Sequence, residues 1–329
     1  MSRPTSLQLL FAAMCLIWGL TWVAMKTGLA VVPPMVFAGT RFLAAGALLI
    51  AIAAYAGVPL AIRRSDAAHF AAATLLMVAL TYPLLFWGAI HVSSGPAAVL
   101  DLSFIPVALL GFGVLSGEER FSRRRTGAVL IGVGGLVILF GPKAIGSGQG
   151  DPMELWGGGA ILLSAIMYAA GSVISRPLLR AYPAIYVSGI TLFCGGVVVT
   201  IASVLFEAGA AEALSFRWGA AAWTSWLFLV FGGSIAAYTI YLRLVRDWGP
   251  SRAGAYCFVS PAIAVAFGAA LLGERLGVID LVGMAVMVTA AWLAVGSAQT
   301  TADGVIRVDI RLPDQDRRPP CPRRDRRVS

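Results

Sequence analysis

Two stretches decide the fold: SFIPVALLGFGVLSGEER at 103–120 and VSPAIAVAFGAALLGER at 259–275. Laid over one another with a shift of 155, Pro106 falls on Pro261, Glu119 on Glu274 and Arg120 on Arg275. Each is an apolar run with one internal proline, ended by glycine and charge. A shift of 150 aligns the earlier parts of the chain, placing Lys26 on Arg176, Pro33 on Pro183, Gly46 on Gly196 and Trp18 on Tyr168. Self-similarity at a fixed offset is the mark of an internally repeated architecture.

Outward from these stretches, the 329 residues are 59% apolar and only 12% charged. A soluble domain runs at about 45–50% apolar and about 25% charged. The balance excludes an ordinary soluble enzyme, a disordered chain and a disulfide scaffold. The apolar residues fall into ten runs, about 7–26, 34–56, 67–90, 95–116, 126–141, 155–176, 184–206, 218–242, 250–272 and 278–297. These have the length a helix needs to cross a bilayer, about 17–25 residues. Barrel strands would alternate apolar and polar residues, and Thr126 to Phe140 does not. The first run is too long for a signal-peptide core and ends in Met25-Lys26 with no small-residue cleavage site, so it reads as a retained helix.

The expectation is an all-α polytopic membrane protein with ten transmembrane helices in two five-helix repeats, 1–148 and 149–297. Five is odd, so the second repeat enters the membrane inverted, a recurring plan of secondary transporters. The rest, 298–329, carries Pro313, Pro319, Pro320 and Pro322 among alternating Arg and Asp. It reads as a disordered basic cytoplasmic tail.

Charge sets the orientation. With the N-terminus inside, alternate connections carry Arg3, Arg63–Arg64, Arg120, Arg123–Arg125, Arg176, Arg180, Arg243, Arg246, Arg252 and the eight arginines of the tail, 20 in all. The other side holds Lys26, Lys143, Arg217 and Arg275, which makes 4. This bias predicts both termini in the cytoplasm of a multi-pass cell (inner) membrane protein. It also explains the net charge of +9 without a nucleic-acid partner. A basic tail against anionic lipid headgroups is an additional option. The four cysteines, Cys15, Cys194, Cys257 and Cys321, have no metal-site or disulfide spacing.

LIWGLTWVAMK (16–26), RFLAAGALLI (41–50), the proline-containing fourth run ending in GEER (117–120) and the ninth ending in GERL (273–276) resemble the EamA-type transporters of the drug/metabolite transporter superfamily. The resemblance covers roughly 7–297. It implies a ten-helix, two-by-five inverted-repeat fold with a central cavity. It also implies movement of small organic solutes, often export of amino acids or related metabolites. The fifth and tenth helices, read as short, fall at the periphery by that resemblance, where they could support a homodimer.

Charges inside lipid mark candidate sites, since a central Arg or Asp costs about 2.5–3.5 kcal/mol on insertion scales. Arg41 lies about 10 Å into the second helix and Asp101 about 9 Å into the fourth, at 1.5 Å per residue. Both helices run inward, so the two opposite charges share a depth. They could pair, or jointly hold a zwitterion, and they could equally face different neighbours. Pro106 and Pro261 each free one backbone carbonyl, from Leu102 and Cys257, and give their helices a place to kink. Trp18 and Trp22 share a face of the first helix at i,i+4. Tyr168, the repeat partner of Trp18, stands between Ser164 and Ser172; Tyr82 and Tyr238 are near-equivalents, and Tyr256 takes the repeat position of Asp101. These aromatics are either cavity lining or core.

No GxxxxGK[ST], HExxH or potassium-filter sequence is present, and no cofactor or metal site is expected. His91-Val92-Ser93 sits on an outer connection without the rest of a hydrolase constellation. The sequence therefore points to a non-enzymatic secondary transporter that moves a small organic metabolite by alternating access, an amino acid or related zwitterion being one candidate. A non-saturable channel or lipid scramblase built from the same helices is the alternative.

Overall fold

A computed structural model describes residues 6–92, 94–145, 152–272 and 277–296. Every regular element among them is helical. In chain order these are α1 (Ser6–Leu29), α2 (Pro34–Tyr55), α3 (Arg64–His91), α4 (Ser94–Leu115), α5 (Arg123–Ile145), α6 (Pro152–Ala181), α7 (Ala184–Phe206), α8 (Ala220–Trp248), α9 (Tyr256–Leu272) and α10 (Val278–Gly296). Single helical turns, Ala210–Ala213 and Pro250–Ala253, precede α8 and α9. Among the described residues, nine helices are long and apolar enough to cross a membrane. The chain is an all-helical, multi-pass membrane protein. Residues up to Gly296 form one compact unit; the expected tail, 298–329, lies outside the described residues.

Two boundaries depart from the sequence reading. The run at 250–272 is divided at Gly254-Ala255, which leaves α9 with 17 residues. The fifth helix is not short: it begins at Arg123 and has 23 residues. A hydropathy reading excludes Arg123–Arg125, yet long basic side chains let a helix start in the headgroup layer.

Lipid tails are as apolar as leucine, so membrane helices associate through close backbone packing rather than hydrophobic force. The α2–α7 contact shows this. Gly39, Gly46, Gly189 and Gly196 lie along it, two on each helix and related by the shift of 150. A Cβ on Gly46 would stand 2.3 Å from the backbone nitrogen of Phe193, and one on Gly196 would stand 2.6 Å from that of Leu43. Several other contacts come in exchangeable pairs. α1 packs on α8 and α6 on α3; α1 packs on α9 and α6 on α4; α5 packs on α10.

The N-terminus of α2 begins at Pro34 and has no local side-chain cap. Its orphan donors are met from afar: Met35 and Val36 donate backbone N–H bonds of 2.9 and 3.0 Å to the two carboxylate oxygens of Glu207, just past α7. Burial pushes the Glu207 carboxyl above the usual range, against the downward pull of those two bonds.

α3 and α8 each contain a π-helical stretch, Leu75–Ala79 and Leu229–Ala237. In α3 the wide turn precedes Pro83, whose missing N–H would otherwise orphan the carbonyl four residues back. α8 has no proline there and carries Gly232-Gly233 instead. Such wide turns release carbonyls and cluster at functional sites. The Thr81 hydroxyl donates to the Leu76 carbonyl at 2.5 Å, and the Trp18 indole donates to the Gly233 carbonyl at 3.2 Å.

Candidate substrate cavity

The π-helical stretch of α8 borders a cavity of about 180 Å³ through Gly233 and Ser234, and α3 reaches it just past its own stretch, from Thr81 onward. Eight helices contribute walls: α1 with Trp18 and Thr21, α2 with Arg41 and Phe42, α3 with Tyr82 and Phe86, α4 with Asp101 and Ile105, α6 with Tyr168, α7 with Leu192, α8 with Ser234 and Tyr238, and α9 with Tyr256 and Ser260. None of the described lining comes from α5 or α10. The lining continues to Met25 and Leu29 at the end of α1 and to Pro34 at the start of α2.

Seven of the eight residues singled out in the sequence thus line one cavity: Trp18, Arg41, Tyr82, Asp101, Tyr168, Tyr238 and Tyr256. The eighth, Trp22, has a side chain outside the described residues. Pro106 and Pro261 lie inside α4 and α9 as expected. Ser164 and Ser172 do not present a polar stripe to the cavity. Their hydroxyls donate to the Ile161 and Tyr168 carbonyls, at 2.7 and 2.8 Å.

The two charges line the same space, yet among the described residues no ion pair joins Arg41 to Asp101. The Arg41 guanidinium carbon lies 4.5 Å from the centre of the Phe42 ring, a cation–π arrangement. Its Nε is buried with no hydrogen-bond partner. Phe42 in turn packs against Tyr82, with centroids 4.6 Å apart. Asp101 is only half-buried because its carboxylate borders the cavity. An unsatisfied buried donor costs about 1–3 kcal/mol, so Arg41 is held in its place at a cost.

Aromatic rings form part of the lining and, with Tyr241, back it. Trp18 lies 4.4 Å from Tyr256 and 5.5 Å from Tyr241, centre to centre, and Tyr241 stacks on Tyr168 at 5.7 Å. The Tyr241 hydroxyl donates to Ser172 Oγ at 2.9 Å. The Tyr238 hydroxyl is 3.4 Å from Thr191 Oγ1. Tyr241 was not among the sequence candidates, although its place three residues after Tyr238 on one helix face was the available signal.

The model of the EamA-like transporter family matches residues 5–141 and 155–296. The chain belongs to the EamA-like transporter family. A relative from Escherichia coli strain K12, named an uncharacterized inner membrane transporter YedA, is 32% identical over 283 residues, 85% of this chain and 88% of its own length. The uncharacterized transporter YoaV of Bacillus subtilis is 25% identical over 271 residues, 82% of this chain and 89% of its own. A solved crystal structure at 19% identity superposes with a TM-score of 0.74, covering 90% of this chain and 100% of that one; it speaks for the fold alone. The EamA-like fold, with its cavity walls drawn from both halves of the chain, is the frame in which the site has to work.

Proposed function

We propose that this chain is a secondary transporter of the inner membrane. It moves a small zwitterionic organic metabolite, an amino acid or a relative of one, by alternating access. The observation that carries the reading is one cavity lined by both Arg41 and Asp101, which form no ion pair with each other among the described residues, and by aromatic rings. A ligand with its carboxylate at Arg41 and its ammonium at Asp101 would satisfy both. Export is the direction that the family resemblance suggests. The inner-membrane location agrees with the printed name of the Escherichia coli relative.

Ten spans in two inverted repeats, 1–148 and 149–297, complete the proposal. The matching of one family model over two ranges of similar length supports the duplication. So does the packing, in which the contacts of α1 with α8 and α9 have counterparts in those of α6 with α3 and α4. Both termini then lie in the cytoplasm, with the tail outside the transport unit. A C-terminal reporter should be active only when placed inside; activity outside would overturn the orientation.

The deciding experiment uses purified protein in liposomes. A thermal-shift screen of amino acids and related zwitterions comes first, because a ligand of the folded state raises apparent stability. The hit should then show saturable flux, accelerated by the same compound on the far side. Flux that rises linearly with concentration and ignores the far side would instead establish a channel or scramblase.

A further inference from the structure

The connection between α4 and α5 carries two adjacent carboxylates, and each grips the second half of the chain. Glu118 receives Arg176 Nη1 at 2.8 Å and Arg180 Nη2 at 2.5 Å, both from the last turns of α6. Its backbone carbonyl also accepts from Arg176 Nη1 at 2.7 Å. Glu119 faces the link between α8 and α9. It accepts from the Ser251 backbone N–H at 3.1 Å and from the Ser251 hydroxyl, and Arg125 Nη1 lies 3.2 Å away.

The fit around Glu119 is built rather than incidental. Its side chain is only 4% exposed. Gly249 turns the chain with φ of +90°, and a Cβ there would stand 2.3 Å from Glu119 Oε1. Only glycine allows both the turn and the approach. Beside it Arg252 lies over the Trp248 ring at 4.7 Å and donates to the Val295 carbonyl at 2.6 Å, which brings the end of α10 into the same knot. Burial, then the neighbouring Arg125, pulls the Arg252 guanidinium down to about 10, against an upward pull from Glu119.

Position gives this knot its meaning. The cavity reaches the ends of α1 and α2 at Met25, Leu29 and Pro34. The knot lies at the other end, 14 positions beyond Ile105 along α4 and its connection. The elements it ties together, α4, α6 and the α8–α9 link, are the continuations of cavity walls. We propose that Glu118 and Glu119 form a latch that shuts the cavity at this end and must release in each cycle. The latch rests on the alternating-access reading above. Charge-assisted bonds suit the role, being stronger than neutral ones when made and replaceable by water once the end opens.

The test uses the full chain in vesicles of known orientation, with its four cysteines replaced and one reporter, Ile105→Cys, on the cavity wall. A membrane-impermeant thiol reagent is applied from either side, and the modification rate is read. With the latch intact the reporter should react from the α1–α2 end. Glu118→Gln with Glu119→Gln should raise the rate from the latch end by about tenfold or more and lower the other, as a shift between two states requires. Should that variant fail to fold, Arg180→Gln serves, because the Arg180 side chain is 57% exposed and its loss leaves Glu119 untouched. It should shift the rates in the same direction by a smaller factor. Unchanged rates in a folded Arg180→Gln or double variant that still shows counterflow would overturn the latch alone. Rates rising together from both sides would reveal an open pore and overturn alternating access with it.

Discussion

Gly46→Leu should yield no monodisperse folded protein, and Gly46→Ala should lower the melting temperature markedly. In an ordinary exposed helix the second change stabilises, since glycine is about 1 kcal/mol worse than alanine. Here the sign reverses. The added Cβ would meet the Phe193 backbone nitrogen at 2.3 Å and its Cα at 2.6 Å, and backbone cannot swing aside as a side chain can. α2 and α7 would have to separate along their length, losing the close packing that membrane helices depend on. Gly196→Leu should fail in the same way, against the Leu43 nitrogen at 2.6 Å. Gly134→Ala, in α5, is the control, with nothing within 4 Å of its Cβ. Size-exclusion profiles and melting curves of the four variants decide. A Gly46→Leu protein that melts like the parent would show that α2 and α7 are not held this way.

The sequence revealed this contact in outline only. Gly46 and Gly196 stood out as matched positions of the duplication, but a matched glycine does not say which helix it meets. The helices themselves were legible because the membrane demands runs of fixed length, and the bounds of α2 and α7 fall within a residue or so of the apolar runs. Where polar residues begin a helix, as at Arg123, hydropathy lost the boundary. The π-helical turns were not legible at all. Pro83 follows the wide turn of α3 without marking it, and α8 widens at Gly232-Gly233 with no sequence mark that separates it from other glycines.

Cavity candidates were readable for a physical reason. A charge in the middle of an apolar run must face a partner or a space, and mid-helix tyrosine needs somewhere to put its hydroxyl. Both rules led to residues that line one cavity. They do not find residues whose role is set by distant neighbours. Glu118 and Glu119 lie in a polar connection where charge is unremarked, and their partners Arg176, Arg180 and Ser251 are more than fifty residues away. Glu119 was visible only as a repeat marker opposite Glu274. Glu207, which caps α2 across the fold, gave no signal of its own.

Arg41→Gln and Asp101→Asn should each cut transport of the zwitterion by about 10- to 100-fold, the loss expected for one hydrogen bond to a charged group. Their combination tests how the two act. No ion pair joins them in the empty cavity, among the described residues, so they should be uncoupled when nothing is bound. Melting temperatures of the ligand-free single and double variants should then show nearly additive changes, as for residues that do not touch each other. With ligand the expectation inverts. A zwitterion holding its carboxylate at Arg41 and its ammonium at Asp101 becomes the shared partner, and losing one end lets the other slip. The double variant should therefore transport little worse than the worse single one. A ligand carrying only the amine should be indifferent to Arg41→Gln, and one carrying only the carboxylate should be indifferent to Asp101→Asn. Strong coupling in the ligand-free melting temperatures would mean that the residues pair directly. Full transport in Asp101→Asn, or strictly additive losses with the zwitterion, would remove the ligand bridge and leave the two charges as separate features of the wall.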